Sequence, residues 1–182
     1  MAEIGHLRRA VIPDLFMALV NSIVGQQIST KAQAAIWRRM RESFSLLSPE
    51  RVDAAPAEEL QACGISMRKA LYIKEAAASA LDGSLDLARL KTMPDAEVYE
   101  CLRRFKGVGV WTAEMLLIFS LQRPDILSWD DLAIHRGLRM LYRHRKITPA
   151  LFAKYKRRYT PYASIASLYL WAVAGGACPA LT

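Results

Sequence analysis

The 182-residue chain has few cysteines, no long apolar run and no acidic residue after Asp131. Cys63, Cys101 and Cys178 lie too far apart for a disulfide framework or a metal site, and such isolated thiols are typical of a reducing cytosol or nucleus. No apolar stretch approaches the roughly 20 residues of a membrane-spanning helix, and the first residues lack a secretory pattern. We therefore expect a folded soluble domain without a membrane segment.

The lack of acids leaves the last part of the chain strongly basic. Nine lysines and arginines follow Asp131, whereas the preceding residues are close to neutral, so the net charge of +8 belongs to one segment. A localised positive field attracts polyanions, of which nucleic acid is the commonest. From charge alone, a solvated basic face without a partner is an equally good interpretation.

Alternation of apolar and polar residues, the mark of a strand, is also missing. The chain instead contains closely spaced helix-start and helix-stop signals, which predict an all-α fold of ten or so short helices in a single unit over 1–182. Proline or an N-cap residue marks most of the predicted helix starts. Helices are predicted to begin near Pro13, Ser29 or Thr30, Pro56, Ser66, Pro94, Val110, Asp130 or Asp131, Pro149 and Pro161.

A short glycine turn between two predicted helices is the most specific local motif. Residues 102–113 read Leu-Arg-Arg-Phe-Lys-Gly-Val-Gly-Val-Trp-Thr-Ala. Gly107 and Gly109 permit positive φ and close approach of another backbone, and the N–H groups of the following helix favour a phosphate. Lys106 adds a cation beside them. Taken alone, the pattern is more often a tight turn that uses glycine only for its geometry.

Three separated blocks resemble the helix-hairpin-helix DNA glycosylases, the superfamily of endonuclease III, and within it the 3-methyladenine DNA glycosylase II branch. The blocks are Val-Gly-Gln-Gln-Ile-Ser at 24–29, the turn at 107–113, and an aspartate that opens a helix about twenty residues later within 126–137. The resemblance implies two helical lobes with the active cleft between them. One lobe would span about 20–125, and the N-terminal segment with about 126–182 would form the other.

The resemblance places the catalytic carboxylate on Asp130. A fixed anion would stabilise the positive charge that develops on the deoxyribose and could orient or deprotonate the attacking water. Alignment through Arg136 favours Asp130 over Asp131, which stays open as the alternative. Two acids before an apolar run are also common as simple helix caps.

The resemblance also implies a base pocket lined by Trp111 and Trp171, with Met115 and Ile28. An electron-rich indole face attracts the positive charge of an N-alkylated purine. Relatives that also cut the DNA strand carry a Schiff-base lysine where this chain has Trp111, so no lyase activity is expected. Without the resemblance, two tryptophans in the core would explain the same residues.

Further DNA contacts follow from the same resemblance. Gln26 or Gln27 would insert into the duplex as a wedge where the base has left. The carbonyls of Phe105 and Gly107 could hold a K⁺ or Na⁺ ion, whereas an iron–sulfur cluster is excluded because it needs four closely spaced cysteines. The predicted phosphate-binding residues are Lys106, Gly107, Val108, Gly109 and Thr112.

The function expected from these residues is base excision repair of DNA. A monomeric, cofactor-free glycosylase would flip alkylated purines of the 3-methyladenine, 7-methylguanine or ethenoadenine type from duplex DNA and leave an abasic site. It would act on the nucleoid of a bacterium or archaeon, or in a nucleus. The alternatives are a glycosylase for uracil, hypoxanthine or oxidised bases, and a helix-hairpin-helix module that binds DNA without chemistry.

Overall fold

The computed structural model describes residues 4–178, and within that range it contains helices, turns and loops but no strand, so the all-α prediction is confirmed. None of its helices has the length and apolarity that crossing a bilayer would require. The helices of the described range are α1 (Leu15–Gly25), α2 (Thr30–Ser43), α3 (Pro49–Ala54), α4 (Ala57–Ala62), α5 (Met67–Leu81), α6 (Leu87–Leu90), α7 (Asp95–Leu102), α8 (Val110–Phe119), α9 (Leu132–Tyr142), α10 (Pro149–Tyr159) and α11 (Ala163–Ala174).

Side-chain caps begin most of the helices where the sequence predicts them. Ser29, Ser66 and Thr148 each accept a hydrogen bond from the backbone N–H three residues later, which satisfies one of the unpaired donors of a first turn. At α9 the cap is Asp131, whose side chain accepts from two backbone N–H groups. Of the two adjacent aspartates, Asp131 is therefore the one built into the helix start.

The predicted start of the last helix is wrong. Thr160 and Pro161 were expected to be its cap and first residue, but the Thr160 N–H donates to Lys156 O and so ends α10. The Thr160–Pro161 peptide bond is cis, and α11 begins only at Ala163. A Thr-Pro pair fits the C-terminal side of one helix as well as the N-terminal side of the next, and local sequence does not separate the two.

Two short helices, α3 and α6, were not predicted. The signal for α3 was present, because Ser48 caps it and Pro49 occupies its first turn. For α6, the cap is Asp86, which accepts from the Arg89 N–H at 2.9 Å. One helical turn is too short for apolar periodicity to emerge from its neighbours.

The described residues form two compact units, each with its own core. The hairpin unit is Ile12–Leu116, and the Asp131 unit comprises the residues up to Val11 together with those from Leu117 onward. In the hairpin unit, α5 packs against α1, α3 and α4. Its largest fully buried side chains include Phe16, Leu19, Ile23, Met40, Leu60, Ile73, Leu90 and Leu102.

In the Asp131 unit, α9 packs along α11 and α10 contacts α11. Burial of each large apolar side chain there contributes roughly 1.5–3 kcal/mol, which makes this cluster the support of α9. The cluster consists of Leu127, Ile134, Leu138, Ile147, Phe152, Tyr155, Ala163 and Leu170.

Candidate active site

The glycine turn in the hairpin unit joins α7, which ends at Leu102, to α8, which begins at Val110. Gly107 has a φ of +79°, and a Cβ on it would lie 2.8 Å from Cγ of Tyr72, so both its backbone and its surroundings require glycine. Gly109 differs, because a Cβ there would meet nothing within 4 Å. The turn is therefore packed against Tyr72 at Gly107, whereas the space around Gly109 is open.

The predicted phosphate-binding residues divide into exposed and buried groups. The Lys106 side chain is 75% exposed and lies 4.0 Å from Glu75. Thr112 and Val108 are buried, and the Thr112 hydroxyl oxygen accepts a hydrogen bond from within the unit. Lys106, Gly109 and the backbone of the turn are therefore accessible to a phosphate, whereas the Thr112 and Val108 side chains support the turn from inside.

The turn after α1 separates the two candidate wedge residues. The Gln26 amide donates to Gly107 O at 2.6 Å and to Thr112 Oγ1 at 2.8 Å, which ties this turn to the glycine turn. Gln27 is exposed and has a φ of +56°, an uncommon conformation for a residue other than glycine. The geometry favours Gln27 as the projecting residue and gives Gln26 a supporting position.

Three residues predicted to line the base pocket belong to the hairpin unit, two on α8 and one just after α1. Trp111 is half-buried in the first turn of α8, and Met115, one turn later on the same helix, is buried. Ile28 is exposed directly after Gln27. Trp111 and Ile28 can therefore offer apolar surface to a ligand, and Met115 offers far less.

In the Asp131 unit, the two adjacent aspartates have very different surroundings. Asp131 is 8% exposed, and its Oδ1 accepts from the backbone N–H groups of Ala133 at 2.8 Å and Ile134 at 3.0 Å. Its Oδ2 accepts from the indole N–H of Trp171 at 3.1 Å. Asp130 is exposed. Three donors therefore fix the Asp131 carboxylate in one orientation at the start of α9.

Trp171 is oriented by more than this hydrogen bond. Its indole stacks on Phe119, with ring centroids 5.7 Å apart and planes 18° from parallel. The two helices that carry Asp131 and Trp171 approach closely at Gly137, where a Cβ would lie 2.9 Å from the carbonyl carbon of Leu170. Trp171 was predicted to line the base pocket, and the geometry adds that its N–H is committed to the carboxylate.

The loop before Asp131 is also fixed by contacts within this unit. The His135 Nε2–H donates to the carbonyl oxygen of Trp129 at 2.7 Å. The Trp129 ring packs edge-on against His135 and Phe152, with centroid distances of 4.6 and 5.0 Å. These contacts fix the position of Trp129, two residues before Asp131.

Three supporting residues were missed by the sequence reasoning. Gly137 had a signal, because a glycine inside a helix costs about 1 kcal/mol relative to alanine and so indicates a packing requirement. Phe119 had none beyond its apolar character. Lys69, which donates to Val24 O and Gln26 O at 2.8 Å each, has the sequence appearance of any solvated helical lysine.

The two carbonyls predicted to hold a K⁺ or Na⁺ ion each accept one hydrogen bond. Gly107 O already accepts from the Gln26 amide, and Phe105 O accepts from the Val108 N–H at 3.1 Å. A carbonyl oxygen has two lone pairs, so each can take a further ligand, and the cation site stays a prediction. Across residues 4–178, no group of three or more His, Cys, Asp or Glu side chains is placed to bind a metal ion.

Comparison with known families and sequences supports the resemblance inferred from the motifs. The model of the HhH-GPD superfamily of base excision DNA repair proteins matches residues 20–161. The chain is 34% identical over 158 residues to DNA-3-methyladenine glycosylase 1 of Schizosaccharomyces pombe, an alignment that covers 84% of this chain and 69% of that protein. It is 29% identical over 175 residues to DNA-3-methyladenine glycosylase 2 of Escherichia coli, with 89% and 59% covered.

Solved structures agree with the sequence relatives. DNA-3-methyladenine glycosidase of Bacillus halodurans superposes with a TM-score of 0.80 at 37% identity, over 93% of this chain and 79% of that one. The Schizosaccharomyces pombe 3-methyladenine DNA glycosylase in complex with abasic DNA gives 0.84 at 32% identity, over 94% and 87%. The chain therefore belongs to the HhH-GPD superfamily of base excision DNA repair proteins and, within it, to the 3-methyladenine DNA glycosylases.

Proposed function

We propose that this protein is a monofunctional DNA glycosylase that hydrolyses the N-glycosidic bond of alkylated purines and leaves an abasic site. The observation that carries the proposal is the Asp131 carboxylate, held by two backbone N–H groups and the Trp171 indole at the start of α9. The chain's membership of the 3-methyladenine DNA glycosylases supports alkylated purines as the substrate class.

Asp131 is the catalytic carboxylate of this proposal, in place of the Asp130 that sequence alignment favoured. Departure of the base builds positive charge on the deoxyribose, and an anion that is already oriented stabilises this charge without reorganising. The same carboxylate can orient or deprotonate the attacking water. The exposed Asp130 has no such fixed donors among the described contacts, so water would solvate its carboxylate instead.

Alkylated purines suit this arrangement because their positive charge already makes them good leaving groups. Less of the barrier then remains for the enzyme to remove than with a normal base. The half-buried Trp111 offers an aromatic surface on which such a base can stack. A tryptophan cannot form the Schiff base on which strand cleavage depends, and hydrolysis alone is therefore proposed.

DNA is the partner, and we propose that the substrate is a duplex with a damaged base, bound by a monomer without a cofactor. Lys106 and the open backbone at Gly109 would hold a phosphate, and Gln27 would fill the space left by the flipped base. The basic residues after Asp131 would add attraction that does not depend on sequence. Such an enzyme works on chromosomal DNA, in a nucleoid or a nucleus.

The test is single-turnover base release from a duplex that carries one ethenoadenine or 3-methyladenine analogue. We compare Asp131→Asn with Asp130→Asn, because asparagine caps a helix about as well as aspartate and should preserve the start of α9. Asp131→Asn should lower the rate by about a hundredfold or more, as loss of a preorganised electrostatic group does. Asp130→Asn should stay within about threefold of the wild type, as surface changes usually do.

Three results would go against the proposal at different points. A large loss in Asp130→Asn alone would return the catalytic role to the exposed residue. Release of uracil or oxidised bases without alkylated purines would change the substrate class. Tight duplex binding with no release of any base would indicate a DNA-binding module instead of an enzyme.

A further inference from the structure

One face of α5 contacts both of the elements that the proposed function assigns to DNA. Lys69, Tyr72 and Glu75 lie at intervals of three residues, so they share one side of the helix. Lys69 contacts the turn after α1, Tyr72 lies against Gly107, and Glu75 lies 4.0 Å from Lys106. A single rigid helix thus spans from the turn with the wedge candidate to the glycine turn.

The Lys69 contacts are specific in their geometry. Its ammonium donates to Val24 O and to Gln26 O, both at 2.8 Å, and so bridges the two residues on either side of Gly25. Burial, with a smaller effect of neighbouring Arg68, lowers the pKa of Lys69 below its ordinary value. A partly buried ammonium is costly unless it is well paired, and here the carbonyls at the C-terminal end of α1 are its partners.

The turn that Lys69 bridges continues directly into Gln27. The positive φ of Gln27 is unfavourable for a residue with a side chain, so the conformation persists only when the neighbouring chain is fixed. Lys69 fixes the backbone on its N-terminal side, and the Gln26 amide fixes the same turn to Gly107 and Thr112. Both restraints act on the residue immediately before Gln27.

We propose that Lys69 is a positioning residue for DNA, which sets the Gln27 side chain at a fixed distance from the glycine turn. This inference rests on the proposed function, in which Gln27 enters the duplex and the glycine turn holds a nearby phosphate. With Lys69 in place, insertion occurs at the nucleotide selected by that phosphate. Without Lys69, Gln27 is free to relax from its positive φ. Its side chain then no longer enters the duplex at a fixed position relative to the DNA phosphate that the glycine turn holds.

Lys74 offers a matched control on the same helix. Its ammonium also binds backbone carbonyls at a helix end, with distances of 3.2 Å to Val52 O, 2.6 Å to Asp53 O and 2.6 Å to Ala55 O. These carbonyls belong to the end of α3 and to the residue after it, and neither the glycine turn nor Gln27 is among its partners. Removing either ammonium breaks the same kind of contact, but only Lys69 contacts the turn before the wedge.

The experiment compares Lys69→Met, Lys69→Arg and Lys74→Met in the full chain. Wedge insertion is measured by the fluorescence of 2-aminopurine placed opposite a stable abasic analogue in a duplex. The affinity for the same duplex, the thermal midpoint and the single-turnover release of ethenoadenine at saturating enzyme are measured in parallel. Methionine keeps the length of the side chain and removes its donors, whereas arginine can bridge two carbonyls again.

We expect Lys69→Met to lose most of the fluorescence change and to slow base release about tenfold or more, since charge-assisted hydrogen bonds are lost. Its affinity for the duplex should change by less than about threefold, because the phosphate contacts remain. Lys69→Arg should recover part of both signals. Lys74→Met should lower the thermal midpoint by a similar amount and leave fluorescence and release at wild-type levels.

Equal behaviour of Lys69→Met and Lys74→Met in fluorescence and release would overturn the positioning role. A failure of the proposed function looks different, because the wild type would then release no ethenoadenine. The fluorescence measurement with the abasic analogue involves no chemistry, and it tests the register of the wedge in either case.

Discussion

Replacement of Gly137 by alanine tests whether the approach of α9 to α11 builds the active site. A Cβ at this position would lie 2.9 Å from the carbonyl carbon of Leu170 and closer still to its oxygen, whereas ordinary contacts begin near 3.4 Å. The obstacle is backbone, which cannot rotate away as a side chain can. The two helices must therefore separate, and the hydrogen bond between Trp171 and Asp131 lies across that separation.

Two opposing effects determine the change in stability. Alanine is favoured over glycine inside a helix by about 1 kcal/mol. Overpacking costs roughly 1–3 kcal/mol, and a backbone obstacle places Gly137→Ala at or beyond the upper end of that range. The balance is a loss of about 2 kcal/mol, which lowers the thermal midpoint of a chain of this size by roughly 4–8 °C. The rate of base release should fall about tenfold if the indole bond to the carboxylate is lost.

The assay is thermal denaturation together with single-turnover base release at a temperature where the variant is fully folded. Gly25→Ala is the control for thermal denaturation only, because Gly25 lies in the turn that leads to Gln27. Its Cβ would meet the Gln33 amide at 2.5 Å, the far end of a flexible side chain. Gln33 can move away at the expense of its hydrogen bonds to Asn21, at 3.0 and 3.3 Å. We expect a loss of no more than about 1 kcal/mol there. A Gly137→Ala protein with the wild-type midpoint and rate would show that the close approach of α9 to α11 does not orient the carboxylate.

Two further outcomes are expected. Trp171→Phe keeps a ring to stack on Phe119 but removes the donor to Asp131. Base release should therefore slow about tenfold while the affinity for the duplex stays unchanged. An unaltered rate would mean that the hydrogen bond does not orient the carboxylate. Burial, with the hydrogen bond to Tyr142, raises the pKa of Tyr159 above its ordinary value. An unfolded tyrosine ionises near pH 10, so the stability from this group is present below about pH 10 and is lost as the pH rises above it. Tyr159→Phe should therefore show a smaller fall of the thermal midpoint between about pH 9 and 11, and equal slopes would contradict this assignment.

The helix starts and the glycine turn could be predicted from the sequence because their determinants are local. Ser66 and Thr148 cap their helices through bonds to residues three positions away. Gly107 adopts the positive φ that a tight turn requires. At Thr160 the same local pattern fits two structures, and the prediction was wrong there. Packing decides whether the residue ends one helix or begins the next.

Composition, helix signals and motifs are enough to predict a helical chain with a basic late segment and the motifs of a DNA glycosylase, because each is a local property of the sequence. Neighbours with the same side chain are distinguished by their contacts in the folded protein. Asp131 differs from Asp130 through an indole 40 residues away. Gln26 differs from Gln27 through Gly107, 81 residues away. Gln26 and Gln27 have the same local propensities, and they differ because folding brings an acceptor from a distant part of the chain within hydrogen-bonding distance of Gln26. At the aspartates, the distant indole adds to the cap bonds that Asp131 accepts from Ala133 and Ile134.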